Sequence, residues 1–238
     1  MGNFIYGTEI NIALEALIEN AEKYLWFISP YIKLHDRIKS ELKKRKDSDQ
    51  LQIVIMFGKN EDNYEKSISS EDINFLKEFP NVMICYEKNL HAKFYAGDCF
   101  SIITSMNLHE YSQNNNIEVA IVMNPRSSAL KIANTVVSSE DLEETSRAYF
   151  QEIIDNSDVL FQKEPNYESG FLGLSKKYKD SEIVIDKLSE FFTNFTTTIR
   201  KQKQNGNTIP ENKYNKLSIP KDGFCIVSLP PIPYCVAK

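Results

Sequence analysis

At residues 91–107 the chain reads HAKFYAGDCFSIITSMN. Within these 17 residues an imidazole, an ammonium, a carboxylate, a hydroxyl and an amide follow one another closely. The run from His91 to Ser105 is apolar enough to form strands, and alternate residues of a strand face the same side. We therefore expect His91 and Lys93 to project together, about 6–7 Å apart along the chain. A nucleophile beside a fixed cation is the combination that attack on a phosphodiester anion requires.

A glycine and an aspartate at positions 97 and 98 predict a hairpin turn inside this stretch. Before it, helical and strand-like segments alternate. The predicted helices are Ile10–Ala21 with Thr8 as its cap, Leu34–Lys46 and Ser70–Phe79. The predicted strands are Tyr24–Ser29, Leu51–Phe57, Val82–Tyr86, His91–Tyr95, Phe100–Thr104 and Ile117–Met123. Strand–helix alternation followed by hairpins predicts an α/β fold with a mixed β-sheet and helices on both faces.

The C-terminal part of the chain has a different character. Amphipathic spacing predicts two further helices, Ser139–Phe161 and Ser181–Gln202. Gln204–Asp222 is rich in Asn, Lys and Pro and indicates a linker. It leads to a tail with Cys225 and Cys235, two thiols that cannot complete a zinc site by themselves. We therefore predict a catalytic domain at 1–165, a C-terminal helical extension at 166–203, and a linker and tail at 204–238.

Six side chains in and after the opening stretch resemble the motif of the phospholipase D superfamily. They are His91, Lys93, Asp98, Ser105, Asn107 and Glu118. The family motif has His-x-Lys, four residues, Asp, and then Gly/Ser-Ser-x-Asn. Thr104 stands here where glycine is usual, at a position where the backbone matters. The resemblance covers roughly residues 1 to 160 and implies a phospholipase D-like fold.

The resemblance also implies a mechanism and an assembly. In that family one histidine attacks phosphorus to form a phosphohistidine, while a second protonates the leaving oxygen and then activates water. This chain has one such motif, because neither His35 nor His109 is followed two residues later by lysine. We therefore expect a homodimer in which two copies of His91 share one active site, with no metal and no cofactor.

Roles for the other motif residues follow from the same resemblance. Lys93, Ser105 and Asn107 are expected to donate hydrogen bonds to phosphate oxygens. Glu118 is expected to accept a hydrogen bond from the second ring nitrogen of His91 and so fix its tautomer. Asp98 belongs to the catalytic set by its place in the motif. At a Gly-Asp turn, however, we expect it mainly to support the site structurally.

Composition limits the classes of protein that the chain can belong to. It has 238 residues, 42% of them hydrophobic, and a net charge of −5, which suits a folded protein. Four scattered cysteines do not form a disulfide framework, and no apolar run or signal segment indicates a membrane anchor. We therefore expect a cytoplasmic protein.

Charge is segregated along the chain. Lys33–Lys46 and Arg200–Lys221 each carry a net charge of +5, and Glu140–Glu164 carries −6. A basic segment is either a solvated face or a nucleic-acid contact.

Three functions remain open at this point. The first is a metal-independent endonuclease or phosphodiesterase acting on DNA or RNA, with DNA as the expected partner. The second is a phospholipid phosphodiesterase, because a lipid presents the same reacting group. The third is a phospholipase D-like subunit of a restriction or phage-defence complex, inactive alone and docked to a partner protein through its C-terminal segments.

Overall fold

A computed structural model describes residues 2–58, 66–109, 116–125, 141–169 and 176–193. All of them belong to the first of two compact units, Met1–Ile199. The second unit, Arg200–Lys238, lies outside the described residues, and with it the predicted linker, tail, Cys225 and Cys235.

The described residues form eleven strands and four named helices. The strands are β1 Gly2–Tyr6, β2 Tyr24–Ile28, β3 Ile32–Lys33, β4 Gln52–Gly58, β5 Val82–Glu87, β6 Phe94–Gly97, β7 Ser101–Thr104, β8 Leu108–His109, β9 Val119–Met123, β10 Asp158–Ser169 and β11 Lys176–Asp186. The helices are α1 Thr8–Asn20, α2 Asp36–Lys43, α3 Ser70–Leu76 and α4 Leu142–Asp155. Residues 188–193 are also helical.

Nine strands make one mixed sheet, in the order β1-β9-β7-β6-β2-β4-β5-β10-β11. Its three central strands, β2, β4 and β5, are parallel, and α2 and α3 supply the crossovers that parallel pairing needs. The flanking pairs are antiparallel. A separate parallel pair, β3 and β8, forms a second small sheet.

The central strands are apolar on both sides because helices cover both faces of the sheet. In β2, Leu25 and Phe27 pack into the core under α1, α2 and α3, while Trp26 and Ile28 belong to the core under α4. On the α4 side, the rings of Phe94 and Phe150 stack 4.2 Å apart. The predicted mixed sheet with helices on both faces is therefore confirmed.

The hairpin prediction is also correct, but the first strand begins later than expected. Ala96 pairs with Ser101 across the turn that contains Asp98. The strand starts at Phe94, so His91 and Lys93 precede it and are not placed by strand alternation.

The C-terminal secondary structure differs from the prediction. Helix α4 ends at Asp155, and the chain continues as β10, which pairs with β5 and extends the sheet. Residues 181–186, expected to be helical, belong to β11 and pair with β10. The β-branched run Ile183–Ile185 favours this strand, and the apolar spacing resembled a helix only because Leu188 and Phe191 follow in a real helical turn.

This correction affects the helical extension proposed for residues 166–203, of which 170–175 and 194–203 lie outside the described residues. The predicted boundary at residue 165 falls inside the continuous strand β10. The cap of α1 is corrected as well. Thr8 is the first helical residue, and Gly7, with φ of 57°, precedes it without a side-chain cap.

Candidate active site

One edge of the nine-stranded sheet gathers five of the six motif residues. Strands β2 and β7 end there, and β6 and β9 begin there, since Ile28 pairs with Phe94 and Thr104 with Ala120. The loops at this edge carry His91, Lys93, Ser105, Asn107 and Glu118. Residues separated by up to 27 positions are thus brought to one side of the sheet.

His91 and Lys93 occupy the loop between β5 and β6. His91 is exposed and Lys93 is half-buried. The Lys93 ammonium donates a hydrogen bond of 2.9 Å to the His91 carbonyl oxygen. The Lys93 carbonyl accepts from the Thr104 amide at 3.2 Å, which ties this loop to the end of β7. The cation is therefore held beside the histidine by backbone contacts, not by residue alternation on a strand.

Glu118 is a buried carboxylate, 8% exposed, immediately before β9. It accepts hydrogen bonds from the Ser105 hydroxyl and, at 3.1 Å, from the Asn116 side-chain amide. The Val119 amide donates to Ser105 Oγ at 3.1 Å. Ser105 and Glu118 thus form one unit. The hydrogen bond from His91 to Glu118 stays a prediction. Asn116 was not predicted to contact Glu118. Its position two residues before Glu118 is the feature of the sequence that could have indicated this contact.

Two buried hydroxyl groups form hydrogen bonds with the loop that carries Ser105 and Asn107. Ser29 Oγ lies 3.4 Å from Asn107 Oδ1 and accepts from the Leu108 amide at 3.3 Å. The Tyr95 hydroxyl donates to the Met106 carbonyl at 2.8 Å. Burial raises the pKa of the Tyr95 phenol far above its usual range, so it remains a donor at all ordinary pH values. Neither Ser29 nor Tyr95 was identified from the sequence as part of the site.

Asp98 lies at the opposite end of β6 from His91. Four strand residues separate the two positions, which corresponds to about 13 Å. Asp98 Oδ2 accepts hydrogen bonds of 2.8 Å from both the Glu22 and Lys23 amides. It therefore anchors the connection between α1 and β2. This placement agrees with a structural role and does not bring Asp98 to the edge that carries the other five residues.

We expect Asp98→Ala to lower stability more than activity. Losing a carboxylate that binds two backbone amides costs about 1–3 kcal/mol, which corresponds to a fall in Tm of roughly 2–12 °C in a chain of this size. Thermal unfolding and activity per folded molecule are the measurements. Asp98→Asn is the matched control, since it keeps an acceptor oxygen and should lose less. Full loss of activity at an unchanged Tm would show that Asp98 acts in the chemistry.

The basic segment Lys33–Lys46, which contains α2, is partly neutralised by nearby carboxylates. Four of the cations in Lys33–Lys46 form ion pairs. They are Arg37 with Glu15, Lys39 with Glu71, Lys44 with Glu41 and Lys46 with Glu78. Glu15, Glu71 and Glu78 lie outside this segment and offset part of its net +5, which favours the solvated-face interpretation. Lys33 is different, because strand β3 places it beside His109, two residues after Asn107.

Two further observations concern the described residues. Within the described ranges, His, Cys, Asp and Glu side chains form no group of three that could hold a metal ion. Among the same residues, no helix has both the length and the apolar character needed to cross a membrane.

Comparison with known proteins gives one family match and several similar structures. Residues 14–138 match the family described as "Cardiolipin synthase, PLD-like domain", which is just over half of the 238 residues. NucT from Helicobacter pylori is 16% identical, with a TM-score of 0.46 over 67% of this chain and 98% of that chain. Nuc from Salmonella typhimurium, a phospholipase D family member, is 17% identical, with a TM-score of 0.45 and the same coverage of 67% and 98%.

Phosphatidylserine synthase from Haemophilus influenzae Rd KW20 is 11% identical, with a TM-score of 0.47 over 85% of this chain and 45% of that chain. No curated protein sequence matches the chain significantly.

Proposed function

The chain belongs to the phospholipase D superfamily of phosphodiesterase-type enzymes, and from this premise we propose that it is a metal-independent endonuclease with a shared dimeric active site. The observation that carries the proposal is the gathering of His91, Lys93, Ser105, Asn107 and Glu118 at one sheet edge. These groups match what phosphodiester cleavage needs: a nucleophile, a fixed cation, and hydrogen-bond donors for anionic oxygens.

The proposed reaction proceeds in two displacements. In the first, an imidazole nitrogen of His91 attacks phosphorus, and the bond from phosphorus to the leaving oxygen breaks. His91 of the second copy gives its proton to that oxygen. In the second displacement, the imidazole of the second copy takes a proton from water as the water oxygen attacks phosphorus. The bond between phosphorus and the first copy's His91 then breaks, which releases the product and the free histidine.

The other residues stabilise charge and orientation in this scheme. Lys93 supplies a cation next to His91 and would neutralise the phosphate oxygens. Ser105 and Asn107 would donate to the same oxygens. Glu118 would stabilise the imidazolium form of His91, either directly or through the Ser105 hydroxyl that it already binds.

The dimer proposal is supported by an exposed apolar face among the described strands of the sheet. This face consists of Phe4, Tyr6, Ile103, Val119 and Ile121. Phe4 pairs with Ile121, Tyr6 with Val119 and Ile103 with Ile121, so all five lie on the side that α4 covers elsewhere. Phe4 and Tyr6 are 66% and 64% exposed. Surfaces of this kind usually mark an interface.

We assign this apolar face to a second copy of the chain. Val119 exchanges hydrogen bonds with Ser105, so the face adjoins the active-site edge directly. A two-fold axis through it would bring a second His91 toward the same edge, which the two-histidine reaction requires.

The proposed substrate is nucleic acid, and DNA is the first candidate. Lys33, beside His109 and close to Asn107, adds an exposed cation next to the phosphate-binding groups. A cytoplasmic location and a defence-system partner protein are proposals that rest on the sequence alone.

We expect the purified protein to cleave DNA or RNA in excess EDTA. The assay compares single- and double-stranded DNA, RNA and phospholipid vesicles, with and without the chelator. Loss of all cleavage in EDTA would contradict the metal-independent mechanism. Release of headgroup without nucleic-acid cleavage would favour the lipid phosphodiesterase. A protein that is inactive on every substrate until a partner is added would favour the defence-complex subunit.

A further inference from the structure

A cavity of about 530 Å³ opens beside His91, on the side of the sheet covered by α4. One wall is the loop between β5 and β6, and the other is a face of α4. The lining residues are Glu87, Asn89, Leu90, His91 and Ala92 on the loop, and Tyr149, Glu152, Ile153 and Asn156 on the helix. The volume is that of a typical small-molecule pocket. Because His91 lies in its wall, a group attached to the reacting phosphate would be close to it.

The residues of the α4 wall share one face of the helix, and an aromatic stack connects α4 to β6. Tyr149, Ile153 and Asn156 are separated by four and three residues, so they share one face of the helix. The Tyr149 ring meets the Phe150 ring edge-on at 5.4 Å, and Phe150 stacks on Phe94, the residue after Lys93. Tyr149 itself is 60% exposed. An aromatic ring with an exposed face is thus placed beside the motif.

Two carboxylates give the lining strong hydrogen-bond acceptors. Glu152 is exposed, and its carboxylate makes no ion pair or hydrogen bond with any residue that the structure describes. Glu87 provides a second carboxylate, which accepts from the Asn89 amide at 2.9 Å. No lysine or arginine occurs among the described lining residues. A phosphate group would be repelled here, whereas a neutral group with N–H donors would be bound.

We propose that this cavity binds the unpaired nucleobase next to the scissile phosphate, with the base stacked on Tyr149 and its N–H groups donating to Glu152. The inference rests on the proposed nuclease function and adds a substrate class to it. A base within a duplex is stacked and paired, so it cannot enter such a pocket without being extruded. The enzyme is therefore specific for single-stranded or locally unpaired nucleic acid.

The lining favours a base over the quaternary ammonium headgroup of a choline lipid. Asn89 and Asn156 carry side-chain amides that both donate and accept, which suits the mixed edge of a base. A quaternary ammonium would make no hydrogen bond to these amides. Leu90 and Ile153 complete the apolar surface against which a flat ring can pack.

A carboxylate at Glu152 also implies a base preference. Guanine offers two adjacent N–H donors to one carboxylate, whereas thymine offers a single N–H between two carbonyl oxygens that a carboxylate repels. One good bidentate contact discriminates between bases by about tenfold or more. Cleavage next to guanine is therefore expected to exceed cleavage next to thymine by about this factor.

The test maps cleavage positions on mixed-sequence single-stranded oligonucleotides. The generic diester bis(p-nitrophenyl) phosphate is measured in parallel with each protein. Glu152→Gln is expected to reduce the guanine-to-thymine ratio to near one. Tyr149→Ala is expected to raise the KM for oligonucleotides about tenfold, and Tyr149→Phe to restore it, because the stacking face is kept. Glu144→Gln is the matched control: the same change on the same helix, at a residue that lines a different cavity.

Each outcome bears on one of the two proposals. If the generic diester is cleaved and the guanine-to-thymine ratio is the same in Glu152→Gln as in the wild type, the nucleobase site is wrong and the phosphodiesterase stands. If nothing is cleaved, the proposed function fails, and fluorescence anisotropy of labelled single strands decides the site. Binding that Glu152→Gln and Tyr149→Ala leave unchanged overturns it. Variants that impair only hydrolysis of phosphatidylethanolamine vesicles assign the cavity to a headgroup and overturn it as well.

Discussion

His91→Ala is expected to abolish phosphodiester cleavage, with kcat/KM falling by at least about 10⁴-fold. Alanine removes both the nucleophile of one subunit and the general acid of the other, and losses of this size follow removal of a nucleophile that works as part of a unit. Because His91 is exposed in a loop, the thermal unfolding midpoint should change little. Initial rates on the best nucleic-acid substrate in EDTA, together with thermal unfolding, measure both quantities.

His35→Ala is the matched control for this experiment. His35 caps α2 by accepting a hydrogen bond from the Arg37 amide at 3.1 Å. Its loss should cost about 1 kcal/mol of stability and leave turnover unaffected. Substantial residual cleavage by His91→Ala would assign the nucleophile to another residue. If His91→Ala and His35→Ala lost activity equally, the loss in His91→Ala could not be assigned to the motif.

Phe4→Glu is expected to produce a monomer and to lower activity by at least about 100-fold. A carboxylate placed in an apolar interface must be buried without a partner, which dimerisation cannot offset. Phe4 is 66% exposed in the single chain, so the folded monomer should tolerate the change. Light scattering after size-exclusion chromatography gives the oligomeric state, and the nuclease assay gives the activity.

Ile12→Glu is the corresponding control, because Ile12 is 62% exposed on α1, on the other side of the sheet. It should remain dimeric and active. A Phe4→Glu monomer with full activity would refute the shared site, and a Phe4→Glu dimer would place the interface elsewhere.

Mixing wild-type and His91→Ala chains tests the shared site in a second way. After refolding together in equal amounts, roughly a quarter of the two-fold dimers would carry two intact histidines. Activity near that level supports one site made by two chains. Activity near half of the wild-type value indicates that each chain works independently.

Much of the fold could be predicted from local sequence patterns, because tertiary packing kept the conformation that these patterns favour. The apolar runs that became β2, β4 and β5 are too short and too uniformly apolar for surface helices, and a sheet covered on both faces requires such runs. The Gly-Asp turn before β7 marked its hairpin in the same way. By contrast, β10 and β11 carry mixed polar sequences whose strand conformation depends on pairing with β5 and with each other.

The sequence by itself determined the chemistry of the site: which functional groups are present, in what order, and that a single set exists in the chain. Only the tertiary structure decided which of those groups meet. Asp98 is separated from His91 by the length of β6, while Ser105 and Glu118, 13 residues apart, share a hydrogen bond. Proximity across a sheet depends on strand length and register, which are collective properties of the packed core. The same packing exposes the apolar face of the described strands and sets Tyr149 and Glu152 beside His91.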